Sequence, residues 1–502
     1  MTRAEIVLTR VNRTVAVTGA NGAAPPPAAV SLLEEAFTCY ERKFNYVNRA
    51  EGGSPIEITP IPLYARHPRT GQFTLPLGLR PRAVKTLAGA GYPVRYRSHP
   101  MAAPGSPAAA LDWDGLFADF TVYPDQGEAI SRLVGAEGGV FAGATGTGKS
   151  VQMRMICRLY HRAKIHVVTK SADLADEIYA GLTKVVPNVG FVGAGRKKFG
   201  RVTVFVADSL HHGMGEADLV LCDEIHELAA PSYAAALGRY TTARIFGFSA
   251  TPTGRMDGRD AVVEAICGPL LYEMSYQDAQ AIGRVVPITA EWVRVSRGPE
   301  LGGITSLPLK EKKGIWANDQ RNQVLADRIA KIPADDQVLV MVKTIEHAVR
   351  LKHILGPDYT LCYAANGMDV GRLKNYVRQG LLPKDEPLMT RDRIRALRTE
   401  FAAGTLKKVI ANYVWSTGVD FRNLGVLVRA DAAASEIRDG QIPGRVCRRV
   451  PGVKESALVI DAWDEWDGGF LRRSQSRRAN YTKKGWTSVW ADQPKAVGGA
   501  YA

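Results

Sequence analysis

Two glycines, Gly143 and Gly148, frame the run Gly143-Ala-Thr-Gly-Thr-Gly-Lys-Ser150, and a lysine and a hydroxyl follow the second at once. Glycine-rich backbone can curl several N–H groups around one anion. A lysine placed directly after it reaches the outer phosphates of a nucleotide. The next hydroxyl can hold Mg2+, and the helix that begins there adds the positive end of its dipole. Gly143, Thr145, Gly146, Thr147, Gly148, Lys149 and Ser150 are therefore the candidate phosphate contacts. A plain glycine-rich turn would match in a position or two. Here every fixed position is filled, after an apolar strand and before a helical stretch.

The run Leu219-Val-Leu-Cys-Asp-Glu-Ile-His226 ends an apolar strand on adjacent carboxylates. Strand ends of open α/β sheets point into the crevice where ligands bind. There Asp223 can hold Mg2+ through water, and Glu224 can take a proton from an attacking water. Taken alone, such a pair is equally a solvated strand end. Ser249-Ala-Thr251 follows the apolar Ile245–Phe248, where a turn closed by Pro252 is the competing reading. Gln441-Ile-Pro-Gly-Arg-Val-Cys-Arg448 sets Arg445 and Arg448 on one side if helical. Arginine suits the charge that builds on a transferring phosphoryl group; a basic helix end in solvent is the alternative.

In this order and spacing the residues resemble a superfamily 2 helicase over about 120–465. Gly143–Ser150 resembles motif I, Asp223–His226 motif II, Ser249–Thr251 motif III, Thr417–Asp420 motif V and Gln441–Arg448 motif VI. Thr169–Glu177, Asp208–Leu210 and Val338–His347 resemble motifs Ia, Ib and IV. Tyr123-Pro-Asp-Gln126 resembles the segment whose glutamine reads adenine in such enzymes. The resemblance implies ATP and Mg2+ as cofactors, with Ser150 and Asp223 holding the metal. It implies a catalytic set of Lys149, Asp223, Glu224, Gln441, Arg445 and Arg448. Nucleotide contacts would come from Tyr123, Gln126, the phosphate loop, Gly418 and Asp420, and His226, Ser249 and Thr251 would couple the ATP state to the rest. The box at 223–226 and the form of 441–448 are similar to phage UvsW-type helicases and their XPB-like relatives. His67–Val94 more faintly resembles the small module of phage recombination helicases. What this implies is an ATP-driven helicase or translocase working as a monomer in a bacterial or phage-infected cytoplasm. Its partner would be nucleic acid, DNA ahead of RNA, as branched DNA or R-loops in recombination, replication or repair. Two departures stand out. Ser171-Ala-Asp173 replaces the usual motif Ia run, and His226 stands where DEAD-box RNA helicases have aspartate. An ATP-switched nucleic-acid clamp that separates no strands, or an RNA helicase, would carry the same motifs. A small-molecule phosphate-loop kinase would need no second sheet bearing Gln441–Arg448.

The elements that must position these residues follow an alternating pattern. Short apolar runs at Gly139–Ala142, Ile165–Val168, Val202–Val206, Leu219–Leu221 and Ile245–Phe248 alternate with helical stretches, which predicts a parallel, doubly wound sheet. A second series at Gln337–Val342, Thr360–Tyr363, Lys408–Ala411, Val426–Arg429 and Ala457–Ile460 predicts another. The expected fold is α/β, and the resemblance implies two tandem RecA-like domains, 112–285 and 286–465, after a small α+β module at 1–105. Pro/Ala/Gly-rich Ala102–Ala110 is read as the linker and Gly283–Pro287 as a hinge. The stretch 466–502 reads as a basic, aromatic tail, with Arg472, Arg473, Arg477, Arg478, Lys483 and Lys484 among Trp466, Phe470, Tyr481, Trp486 and Trp490. The module adds Arg66, Arg69, Arg80, Arg82, Lys85, Arg95 and Arg97. Both clusters are candidate phosphate contacts, or else solvated faces.

With 502 residues, 46% hydrophobic and 23% charged, the chain has enough apolar matter for several buried cores. A net charge of +15 favours a polyanionic partner. The six cysteines form no CxxC pair and read as core residues of a reducing compartment. The sequence shows no signal-peptide core and no apolar run near the roughly 20 residues that span a membrane.

Overall fold

A computed structural model describes residues 3–44, 56–98, 117, 122–211, 215–251, 257–415, 421–434, 439 and 442–492. The chain divides into two compact units, 1–143 with 148–274, and 144–147 with 275–502. The expected linker at 102–110 lies outside the described residues.

The first unit opens with a five-stranded sheet ordered Ala65–Arg66, Phe73–Pro76, Thr14–Gly19, Ile6–Val11, Val94–Arg97. Helices Pro27–Ala36 and Arg80–Gly89 each carry a proline in the first turn, where a missing N–H breaks no helical bond. Their buried residues Val30, Leu33, Ala83 and Leu87 belong to one hydrophobic core that runs on into Val140, Val220, Ile245 and Cys267. The module is thus not a bead on a linker. A Cβ on Gly78 would lie 2.1 Å from the Glu264 carbonyl oxygen, so only glycine permits that approach. Arg13 donates to the carbonyls of Ala243, at 2.9 Å, and Ile266. Arg80 pairs with Glu137 at 2.9 Å, and Arg82 with Glu264 at 3.4 Å. These two arginines, candidates for phosphate contact by sequence, face carboxylates of the same unit instead.

The α/β part of this unit is an eight-stranded sheet. Its order is Arg196–Lys198, Gly190–Gly193, Val202–Val206, Ile165–Thr169, Leu219–Asp223, Arg244–Ser249, Gly139–Gly143, Leu270–Met274. All neighbours pair parallel except the Arg196–Lys198 edge. The second unit holds a seven-stranded, wholly parallel sheet ordered Thr360–Cys362, Lys408–Ala411, Val338–Met341, Val426–Arg429, Ala457–Asp464, Ile288–Val295, Thr487–Trp490. Interior strands such as Val338–Met341 and Val426–Arg429 are buried throughout, as strands covered on both faces must be.

Two expected boundaries move. The second unit begins at Ser275, not after the hinge. The reason is the helix Tyr276–Ala281: the Tyr276 hydroxyl donates to the Val286 carbonyl, and its ring meets Trp486 edge-on at 5.5 Å. The stretch after 466 is no loose tail. Helix Gly468–Lys483 packs on the sheet, and Thr487–Trp490 is its edge strand beside Ile288–Val295. Arg477 and Tyr481, read as surface residues, are buried. Arg477 Nε lies 3.0 Å from Asp461, and the Tyr481 hydroxyl donates to Asp461 at 2.8 Å. No helix among the described residues is long and apolar enough to cross a membrane.

Candidate nucleotide site

Strands Leu219–Asp223, Arg244–Ser249 and Gly139–Gly143 are consecutive, parallel neighbours. Their carboxyl ends therefore fall side by side, and those ends carry Asp223, Ser249 and the phosphate loop. Gly146 and Gly148 have φ of +91° and +94°, a region L side chains rarely enter. A Cβ on Gly148 would also meet Gln126 Nε2 at 2.6 Å. Gln126 is buried in the first turn of helix Pro124–Val134, where its Oε1 accepts the Tyr123 N–H at 3.3 Å. The glutamine expected at the adenine thus lies against the phosphate loop, with the exposed Tyr123 beside it. Lys149 opens the helix that follows, and its Nζ bonds the Gly143 carbonyl at 2.9 Å. Thr147 Oγ1 closes the turn on Ala144 O at 2.8 Å. Ser150 is exposed in the first helical turn.

Asp223 is buried, and burial, then the neighbouring Glu224, pushes its carboxyl up to about 7; Lys149 opposes this. A divalent cation there would favour the ionised form. A carboxylate and a hydroxyl are hard oxygen donors, so Asp223 and Ser150 fit Mg2+. Glu224 follows with φ 47°, ψ 53°, a left-handed conformation costing on the order of 1 kcal/mol for a non-glycine residue. It ends the strand abruptly and starts the short helix Ile225–Leu228.

One hydroxyl joins motifs II and III. Ser249 Oγ lies 2.8 Å from Nδ1 of the buried His226, accepts the Thr251 N–H at 3.1 Å, and donates to Glu224 Oε2 at 3.5 Å. His226 Nδ1 is itself 3.3 Å from Glu224 Oε2. The three residues expected to couple, His226, Ser249 and Thr251, thus meet at the expected base. Arg259 was not singled out by sequence. It is buried, and its Nε donates to Ala229 O at 2.9 Å, at the end of the motif II helix. Nothing in its local sequence marks it.

In the second unit Arg445 lies in the short 3-10 turn Pro443–Val446, and Arg448 lies in an extended bridge to Val285. The single helix that would align the two arginines is absent; Pro443 and the bridge replace it. Both are half-buried. Residues 144–147 group with this unit, where the Cys447 thiol donates to Thr145 O at 2.8 Å. Gly418, Asp420 and Gln441 lie outside the described residues.

Residues 119–254 match the family model described as "Type III restriction enzyme, res subunit". The match takes in Gln126, the phosphate loop, Asp223–His226 and Ser249–Thr251 together. Over that stretch the chain is similar to the ATP-binding part of superfamily 2 helicases. Helicases of this class hydrolyse ATP, typically with Mg2+, and act on nucleic acid. Among solved structures, S. cerevisiae Dbp5 bound to RNA and ADP BeF3 is 13% identical, with 78% of this chain and 95% of that one covered at a TM-score of 0.52. An HsdR subunit fragment of a type I restriction enzyme from Vibrio vulnificus is 17% identical, covering 94% and 84% at 0.52. T4 UvsW is 16% identical over 97% and 99%, at 0.42. The first two share the fold of this chain. No curated protein sequence matches it.

Proposed function

We propose that this chain couples ATP hydrolysis to movement along DNA, with branched DNA or R-loops as substrates in recombination, replication or repair. The observation that carries the coupling is the Ser249 hydroxyl, which joins the expected base Glu224 to motif III through His226 and Thr251. Lys149 serves the outer phosphates, Ser150 and Asp223 hold Mg2+, and Glu224 takes the proton of the attacking water. Gln126 and Tyr123 serve the base. Gln441, Arg445 and Arg448 act on the γ-phosphate, with Gly418 and Asp420 as further nucleotide contacts. DNA is favoured over RNA on two grounds. The family model and the Vibrio neighbour are both named as restriction-enzyme subunits, and His226 stands where DEAD-box RNA helicases have aspartate; the Dbp5 structure, by contrast, holds RNA. The test is ATPase stimulation by single-stranded, duplex and branched DNA, RNA and RNA–DNA hybrid, beside strand displacement, with Lys149→Ala as the inactive control. Branched DNA should stimulate most. Stimulation by RNA alone would overturn the DNA assignment, and stimulation without displacement would make the protein an ATP-switched clamp.

A further inference from the structure

The first unit carries an element that no motif accounts for, the antiparallel ribbon Thr38–Phe44 with Ile56–Pro62. Its register sets Cys39 opposite Ile61, Tyr40 opposite Pro60, Glu41 opposite Thr59 and Arg42 opposite Ile58. Opposed residues share a face and successive ones alternate. Cys39, Glu41, Thr59 and Ile61 therefore lie on one side, and Tyr40, Arg42, Ile58 and Pro60 on the other.

The first side is docked. Cys39 and Ile61 pack on the hydrophobic core. Glu41, 7% exposed, accepts from Arg259 Nη1 at 3.3 Å. The same guanidinium holds Ala229 O, at the end of the motif II helix, through Nε at 2.9 Å. Main-chain contacts reinforce this: the Arg42 N–H donates to Asp257 O at 3.0 Å, and a Cβ on Gly258 would lie 2.4 Å from Tyr40 O. The other side faces out, with Tyr40 56% and Ile58 59% exposed and Arg42 beside them.

We propose that this outward face, Tyr40 with Arg42 and Ile58, contacts nucleic acid, and that the buried Glu41–Arg259 pair beneath it is a positioning link holding it in register with motif II. The proposal rests on the reading of the chain as a nucleic-acid translocase. An exposed aromatic ring is a stacking platform for an unpaired base of any identity, and a guanidinium on the same face can meet the adjoining phosphate. Ile58, directly across from Arg42, extends the apolar surface available to the sugar and base. The charge on the face is cationic, as the +15 of the chain is, which matches a polyanion. A two-fold contact between copies through so small a face would instead bring two Arg42 guanidinium groups together. The link works because a fork can hold two partners in fixed directions. A displacement at the end of the motif II helix then carries the ribbon with it, and a load on the ribbon reaches motif II.

The Tyr40→Ala, Arg42→Ala double variant removes surface groups only. Fluorescence anisotropy with labelled single-stranded and forked DNA, at several salt concentrations, should show about a tenfold or larger loss of affinity, the scale of one base stack. On single strands the salt slope should become shallower by about 0.7 for each phosphate that is no longer neutralised. ATPase without DNA should stay at the wild-type rate. Glu41→Gln and Arg259→Lys should instead bind DNA within about threefold of wild type and keep the basal ATPase. Their stimulation by DNA should fall at least about fivefold, on the scale of a broken coupling. Wild-type affinity and slope in the double variant overturn the contact. Undiminished stimulation in a folded Arg259→Lys protein overturns the link. Loss of a wild-type dimer on size exclusion in the double variant makes the face a self-association surface and overturns the proposal. A wild-type protein that binds no DNA or RNA overturns the translocase reading, and the proposal with it.

Discussion

Ser249 meets three polar groups at once: its hydroxyl accepts the Thr251 N–H, donates to Glu224 Oε2 and lies 2.8 Å from His226 Nδ1. Glu224 Oε2 lies 3.5 Å from this hydroxyl and 3.3 Å from His226 Nδ1. Replacing Glu224 with glutamine keeps an oxygen for the Ser249 hydroxyl but removes the proton acceptor. We expect Glu224→Gln to bind ATP normally, while turnover falls on the order of 100-fold or more, the usual scale for a missing general base. Binding of a fluorescent ATP analogue beside single-turnover hydrolysis checks this; loss of binding would make Glu224 a structural residue. The φ of Glu224 could not be read from its sequence, because it is set by the close turn from strand into helix rather than by residue type. The places of Asp223 at a strand end and of Lys149 and Ser150 in the first turn of the next helix were legible, since an apolar run precedes each.

Among the elements, helix Gly468–Lys483 departs furthest from its sequence reading. Its arginines advertise charge, but the partners are distant in sequence: Arg477 meets Asp461, Asn480 meets Asp439 at 2.8 Å, and Arg429 reaches Tyr481 at 3.2 Å and Asp439 at 2.6 Å. Pairings of that kind leave no local period, so a cluster of internal ion pairs reads like a basic tail. Removing one member strands a buried charge. Arg477→Met should therefore destabilise the second unit by about 3–5 kcal/mol, measured by urea denaturation. Deleting 468–502 should impair the fold rather than merely weaken nucleic-acid binding. A second buried group makes stability depend on pH. His347, on helix Ile345–Leu355, touches Asn322 Oδ1 through Nε2 at 2.9 Å. Burial, with Arg321 nearby, pushes its imidazole down to about 3 from the ordinary 6.5. The unfolded chain binds a proton below pH 6.5 that the folded chain refuses, so stability is lost as pH falls through that window. The loss should reach about 2–3 kcal/mol near pH 4.5. His347→Gln should flatten that slope in denaturation curves taken between about pH 7 and 4.5, and an unchanged slope would assign the acid sensitivity to other groups.

At the scale of the molecule, the amino-terminal module and the first α/β sheet share one hydrophobic core, and Gly78 lets their backbones touch. The Pro/Ala/Gly-rich break after the module suggested an independent domain, but composition marks only where a chain can turn, not what packs beside it. A chain starting at residue 112 should therefore be poorly soluble or melt roughly 10 °C or more below the full protein, the shift expected from several kcal/mol. A truncated protein with the wild-type melting temperature would restore the module as a separable domain. The parallel, doubly wound character of both sheets, by contrast, was implicit in the alternating apolar runs. The second sheet has a further consequence. Strand Ile288–Val295 lies between Ala457–Asp464 and Thr487–Trp490, so both of its neighbours are made long after it. At about 5–20 residues per second, a ribosome needs roughly 10–40 s to go from this strand to its last partner. Until Ala457–Asp464 is made, Ile-Thr-Ala-Glu-Trp-Val-Arg-Val has two open edges, and one stays open until Thr487–Trp490 follows. Newly made chains should accordingly depend on holding chaperones more than refolded ones do, and slowing translation between residues 296 and 456 should raise the fraction that aggregates.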